Sequence, residues 1–363
     1  MRKIAIVIGN IKYGGAERIA VYLANYFYKK GVEVTLISYT SQISIYKLES
    51  IKHISLQRNK KYRNSITRFF SLIKDLRKCI LQVKPDVVLG MMSYNGVAAS
   101  LALLGTKIPV ITSERIDPSS TTARTKVEKL FIKFIFNYAT KGLIFQTKEA
   151  QEYYSKRVQK KSVIIPNPLF EDHLIGVNRP SQPTKRIISV GRLVDQKNFK
   201  MLILAFKNLL NYHPDYILDI YGEGNKREEL NNLIKRNNLE DKVFLRGNTN
   251  KIFEKLQKSD MFVLSSDYEG MPNALIEAMA MGLPVISTDC KGGGARFLIQ
   301  NGENGLLIPI GDEDALVKEM RKLIDNREFA EEHLGRNAIK IREILNGEKI
   351  CGEWENNLLK WSK

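Results

Sequence analysis

The 363-residue sequence lacks any run of about 18 consecutive apolar residues, so no membrane-crossing helix is expected. Cysteine is scarce: Cys79, Cys290 and Cys351 are odd in number and far apart. That argues against a disulfide framework or zinc site and points to a reducing compartment. The opening MRKIAIVIGNIKYGG has a short apolar run with no small-residue cleavage site after it, so it reads as a first strand and not a signal peptide. No short internal repeat, low-complexity tract or G-x-G-x-x-G fingerprint occurs.

Acidic residues are sparse in one half. Residues 1–170 hold 29 Lys+Arg against 10 Asp+Glu, a net +19, while the whole chain carries +18, leaving −1 for 171–363. Such asymmetry suits a polyanionic partner surface, membrane or nucleic acid, or is plain solubility charge. No nucleic-acid recognition motif accompanies it. Two basic stretches interleave apolar side chains: residues 58–84, with Ile66, Phe69, Phe70, Leu72, Ile73 and Leu76, and residues 124–141. In the second, Arg124, Lys126, Lys129 and Lys133 mix with Leu130, Phe131, Phe134, Ile135 and Phe136. Packing on a sheet is expected for most of these apolar residues, and membrane contact for some basic ones.

What is present is a soluble α/β pattern long enough for two domains. Residues 260–289, DMFVLSSDYEGMPNALIEAMAMGLPVISTD, form its clearest unit. Met261–Leu264 reads as a buried strand and Asn273–Met281 as a helix of good formers. Gly282 and Pro284 stop that helix, and Pro284–Ser287 is the next strand. Glu269 lies in the loop at the strand's exit, and Glu277 eight positions on, about one turn into the helix. Ligands of open parallel sheets bind beyond the carboxyl ends of the strands, and helix starts favour phosphate. The unit could offer backbone donors around Asn273–Leu275 and two carboxylates for hydroxyls, or the glutamates are simply solvated charges.

The rest alternates similarly. A first βαβ unit spans Lys3–Ser38, with Gly14 and Gly15 in its loop. Asp86–Met91 and Pro109–Thr112 are further strands, the second leading into the polar loop Ser113-Glu114-Arg115-Ile116-Asp117-Pro118. Gly142–Gln146 and Val163–Pro166 follow, then a proline-bearing linker near 168–185. After the strand Arg186–Val190, Gly191-Arg192-Leu193-Val194-Asp195-Gln196-Lys197-Asn198 places Arg192 and Lys197 where they could clamp a diphosphate or stay solvated. Tyr221–Asn225 borders a nucleobase or is a plain turn.

Together these residues resemble the family 4 retaining nucleotide-sugar glycosyltransferases of bacterial surface-polysaccharide synthesis. The matches are Gly14-Gly15-Ala16-Glu17-Arg18, Ile165-Pro166-Asn167-Pro168, Gly191-Arg192-Leu193 with Lys197, and the E-x7-E pattern Glu269–Glu277. The resemblance implies a GT-B fold, two facing Rossmann-like domains with a cleft between them. Residues 1–170 would form the acceptor-side domain, 171–185 a linker and 186–345 the nucleotide-sugar domain. Residues 346–363 would pack back on the first domain. Arg192 and Lys197 would stabilise the leaving diphosphate, Glu269 the donor sugar and Glu277 the ribose. Backbone groups of Gly270, Met271, Pro272, Asn273, Ala274 and Leu275 would meet sugar and phosphate, with Gly14 and Gly15 against the diphosphate. Family members often carry His where Glu114 and Arg115 stand, so Arg115 is the expected cation there.

The resemblance further implies a UDP-hexose or UDP-N-acetylhexosamine donor and a polyprenyl-diphosphate-linked glycan acceptor. No cofactor or metal is expected, because no Asp-x-Asp site appears. The enzyme would be cytoplasmic, peripheral on the anionic inner face of the plasma membrane, with no nucleic-acid partner. Epimerases and sugar phosphorylases share the architecture.

Overall fold

A computed structural model describes residues 1–11, 14–40, 46–56, 65–119, 125–170, 174 and 179–363; nothing is described of the side chains of 65 and 66. The expected basic positions 58–64 and Arg124, the middle of the first glycine loop (12–13), and 171–173 with 175–178 of the expected linker lie outside them.

The chain divides into two units: Met1–Pro168 with Glu348–Lys363, and Leu169–Gly347. In the first, the strands are β1 (Lys3–Ile8), β2 (Glu33–Ser38), β3 (Lys52–Ser55), β4 (Val87–Met91), β5 (Val110–Ser113), β6 (Gly142–Phe145) and β7 (Ser162–Ile164). They make one parallel sheet in the order β3-β2-β1-β4-β5-β6-β7. In the second, β8 (Arg186–Val190), β9 (Ile217–Tyr221), β10 (Val243–Gly247), β11 (Met261–Leu264), β12 (Val285–Thr288) and β13 (Leu306–Ile308) pair in the order β10-β9-β8-β11-β12-β13. Every pairing is parallel. That is the doubly wound order, with its reversal between β8 and β11.

Central strands such as β4 and β11 are buried along their whole length, as strands covered on both faces must be, which is why they read as continuous apolar runs. The short edge strand β3, KHIS, is mostly solvent-facing and carries no such signal. The helix Ser93–Ala102 also has no apolar period, because small residues bury it on most sides. Gly96 lies so close to β5 that a Cβ there would meet the Thr112 side chain at 2.1 Å.

The C-terminal helix Gly347–Trp361 completes the first unit. Trp354 is wholly buried, and the Tyr26 hydroxyl donates to Glu355 at 3.0 Å. The expected linker requires correction over its described part. Leu174 sits in the core of the second unit. The backbone N–H groups of Thr184 and Lys185 donate to the Asp260 carboxylate at 2.7 and 2.8 Å. Arg179 donates to the Gly282 and Ser259 carbonyls. These bonds tie the segment to the second unit instead of leaving it free.

The basic stretches divide. In the helix Ser65–Val83, Leu72 and Leu76 join the core, and Phe70 is exposed. In the helix Lys126–Tyr138 the expectation of packing fails for three of five apolar residues: Ile135 and Phe136 are buried, but Leu130, Phe131 and Phe134 face solvent. Thr125 and Glu128 start this helix with a reciprocal capping box.

Candidate active site

In the second unit, the loops after β8 and β11 leave adjacent strands at the point where strand order reverses, where open α/β sheets bind ligands. Side chains and backbone stitch the two together. The Ser265 hydroxyl donates to the Lys197 carbonyl at 2.8 Å, and the Gln196 amide to the Tyr268 carbonyl at 2.8 Å. Asn198 adopts a left-handed conformation, caps the helix Phe199–Leu209 through the Met201 N–H, and donates to Asp267 at 2.9 Å.

At the centre, the Lys197 ammonium is ion-paired with Glu269. The Ser266 hydroxyl donates to the same Glu269 oxygen at 2.7 Å, and the Glu269 N–H to the Lys291 carbonyl at 2.9 Å. Glu269 and Glu277 are 7% and 6% exposed, so neither is the solvated charge that a surface glutamate usually is. The thiol of Cys290 nearby is pushed up to about 12, first by burial and then by the Glu269 charge. Glu269 thus acts first on Lys197, holding an ammonium in a low-dielectric setting where it meets an anion most strongly.

Close backbone contact makes this arrangement possible. A Cβ on Gly222 would meet the Gly191 carbonyl oxygen at 1.9 Å, and one on Gly191 would meet Lys197 Cε at 2.9 Å. The β8 and β9 exits therefore pass each other with no room for side chains, and the lysine stem lies along that bare backbone. Arg192, in the same loop, is exposed.

The helix Asn273–Ala280 follows β11, with Pro272 at its N-cap and no side-chain cap bond. Met271 is buried, Gly270 and Asn273 partly so. Ala274 is half-buried in the first turn; Leu275 is fully buried, and its N–H donates to the Pro272 carbonyl at 3.1 Å. Glu277 is one turn into the helix.

In the first unit, Gly14 exchanges hydrogen bonds with the Tyr46 hydroxyl at 3.3 and 3.2 Å, and Gly15 begins the helix Gly15–Lys29. In the polar loop after β5, Glu114 and Arg115 are both buried. Glu114 is 1% exposed and accepts from Ser93 and Tyr154 at 3.3 and 3.2 Å. Arg115 donates to Asn167 and Ser113, and its guanidinium lies 5.8 Å from the Trp354 ring. Burial lowers its pKa to about 9. Asn167 also accepts from Gln146 at 2.5 Å. These bonds hold the guanidinium against Ser113 and Asn167.

Sequence reasoning missed Gln196, Ser266 and Asn198. For Asn198 a signal existed, an amide residue just ahead of a helical run; for the other two, local sequence holds none.

The model for glycosyl transferases group 1 matches residues 172–341, and that for Glycosyltransferase Family 4 matches residues 13–171. A Campylobacter jejuni alpha-1,4-N-acetyl-D-galactosaminyltransferase, named for GalNAc-alpha-(1->4)-GalNAc-alpha-(1->3)-diNAcBac-PP-undecaprenol, is 28% identical, covering 98% of this chain and 97% of its own. An Escherichia coli UDP-Gal:alpha-D-GlcNAc-diphosphoundecaprenol alpha-1,3-galactosyltransferase is 29% identical over 72% of this chain and 74% of its own. Among solved structures, Anabaena HepE in complex with UDP and glucose superposes with a TM-score of 0.82, 17% identity and 99% coverage of both chains, a likeness of fold. Two doubly wound parallel sheets and these matches across both halves agree: the chain is a glycosyltransferase belonging to family 4, with the GT-B fold.

Proposed function

We propose that this glycosyltransferase moves a hexose or N-acetylhexosamine from a UDP-sugar to a polyprenyl-diphosphate-linked or growing surface glycan, retaining the anomeric configuration. The observation that carries the reading is the Lys197–Glu269 pair at the β8/β11 reversal. Lys197, with Arg192 from the same loop, meets the donor diphosphate, and Glu269 holds the lysine in place. Glu277 takes the ribose hydroxyls. The names of the relatives support a lipid-diphosphate acceptor.

As the C1–O bond to the diphosphate breaks, charge grows on the leaving oxygen, and cations already in position lower the barrier without reorganisation. The acceptor oxygen bonds C1 on the same face and its proton passes to the leaving phosphate, so no protein nucleophile takes part. Side-chain cations neutralise the diphosphate, and the reaction needs no metal ion. The enzyme works on the inner face of the plasma membrane, where such acceptors are anchored.

The test is a thermal-shift panel of nucleotide sugars on wild type and Lys197→Ala, followed by transfer to a polyprenyl-diphosphate glycan with the product anomer read by NMR. UDP-sugars should raise the melting temperature of wild type more than of the variant, and chelator should leave transfer unchanged. Indifference to every nucleotide sugar, or an inverted product, overturns the reading.

A further inference from the structure

The helix Lys126–Tyr138 carries two apolar stripes and packs only one. Ile132, Ile135 and Phe136 are buried in the first unit. On another face Val127, Leu130, Phe131, Phe134 and Tyr138 are 77%, 70%, 43%, 57% and 63% exposed. Their spacing of i, i+3, i+4, i+7 and i+11 sets them on a single line along the helix. Of the fifteen exposed large hydrophobics among the described residues, these five share one helix. Scattered exposed apolar side chains need no explanation, but a continuous stripe of this kind marks an interaction site.

Positive charge frames the stripe. Lys126 is exposed at its start, and the Lys133 ammonium sits 4.0 Å over the Tyr153 ring. At the other end the Arg157 guanidinium lies 4.7 Å from the Tyr138 ring, on a short helix, Lys156–Lys160, that also exposes Lys156 and Lys160. The one carboxylate on the helix, Glu128, is bonded to the backbone N–H and hydroxyl of Thr125.

We propose that this face docks into the interfacial layer of an anionic lipid bilayer, with Leu130, Phe131 and Phe134 entering the acyl boundary and Lys126, Lys133 and Arg157 reaching lipid phosphates. The inference rests on the functional reading above, since a lipid-anchored acceptor holds the enzyme's work at a membrane surface. Aromatic and aliphatic side chains ringed by Lys and Arg are what an interfacial helix presents, whereas protein interfaces are depleted in lysine. A second copy of the chain is opposed by charge: a two-fold contact through this stripe would set Lys126, Lys133 and Arg157 against their own equivalents. The net +19 of residues 1–170 extends the attraction beyond the helix. Docking of this kind needs no crossing helix, and none of the described helices is long and apolar enough to be one.

The test uses the full chain without donor or acceptor, sedimented with phosphatidylglycerol/phosphatidylcholine vesicles and with phosphatidylcholine alone. Wild type should bind the anionic vesicles and be partly released by salt. The paired variant Leu130→Asn with Phe134→Asn should lose about tenfold or more in partitioning while keeping its unfolding curve, because both positions are exposed. Lys126→Gln with Arg157→Gln should lower binding to the anionic vesicles only. Phe134→Trp should gain emission that brominated lipids quench, above the background of Trp354 and Trp361. Unchanged partitioning of the asparagine pair, absence of quenching, or a lipid-free dimer that the same pair dissociates would overturn the proposal. The two readings fail separately. Helix-dependent vesicle binding with no sugar transfer to any acceptor sinks the functional reading and leaves docking standing. Transfer to a lipid-linked acceptor with vesicle binding indifferent to the helix does the reverse.

Discussion

The Lys197 ammonium and the Glu269 carboxylate, 72 positions apart, form an ion pair that joins the loops following β8 and β11. Their side chains are only 14% and 9% exposed. Removing one partner of such a pair strands the other, so Lys197→Ala and Glu269→Ala should each cost about 3 kcal/mol of stability. The double variant should cost less than the two together, with a coupling above about 1 kcal/mol. Lys197→Ala should also lower kcat by about a hundredfold or more. Denaturant unfolding and transfer rates across the four proteins check this, and strict additivity would show that the pair does not join the loops.

Arg192 and Glu277 should separate turnover from affinity. Arg192 is exposed, so Arg192→Ala should change stability by less than about 0.5 kcal/mol, yet depress kcat. Glu277→Ala removes a charged acceptor worth about 1.5–3 kcal/mol to the donor hydroxyls, and should weaken donor affinity at least tenfold by calorimetric titration. Equal effects of both variants on Kd would contradict the division of roles.

Two glycines with positive φ should respond differently to alanine. Gly222→Ala drives a Cβ to 1.9 Å from the Gly191 carbonyl, whereas Gly311, at φ +76, has nothing within 4 Å of its Cβ position. Gly311→Ala should cost only the backbone term, about 1–2 kcal/mol. Gly222→Ala should cost more and also reduce donor affinity, because the loop holding Arg192 and Lys197 must shift. Melting temperatures and donor titration decide.

Asp86 accepts from the backbone N–H groups of Arg2 and Lys3 at 2.5 and 2.9 Å. Those bonds hold its carboxyl below the ordinary value. A carboxyl depressed in the folded state adds stability that is full above its unfolded pKa, about 3.9, and vanishes as pH falls through the folded one. Asp86→Asn should thus be less stable than wild type at neutral pH, by under about 1 kcal/mol at this exposed position. Melting curves of the two proteins should converge on acidification below about pH 4; a gap that widened there would refute the assignment.

Much was legible locally. Strand, loop, helix and strand across 260–289 lie in one continuous stretch, each with its own signal: an apolar run, then Gly270 and Pro272, then strong helix formers, then Gly282 and Pro284. Polarity was a poorer guide. Glu114 and Arg115 read as part of a polar loop, with nothing to show that the structure buries them among Ser93, Tyr154, Ser113 and Asn167. In 126–138 the apolar residues exceed what one face can bury, and periodicity cannot say which face packs.

From its sequence alone, the protein had to be an alternation of buried strands and amphipathic helices with glycine-bearing loops at strand exits, because backbone propensity and hydrophobic period act over neighbouring residues. Only the tertiary structure set β8 beside β11, past β9 and β10, and so brought Lys197 onto Glu269. Strand order, the partner of a buried charge and the outward face of a helix are settled by contacts between distant segments, and short-range pattern carries no record of them.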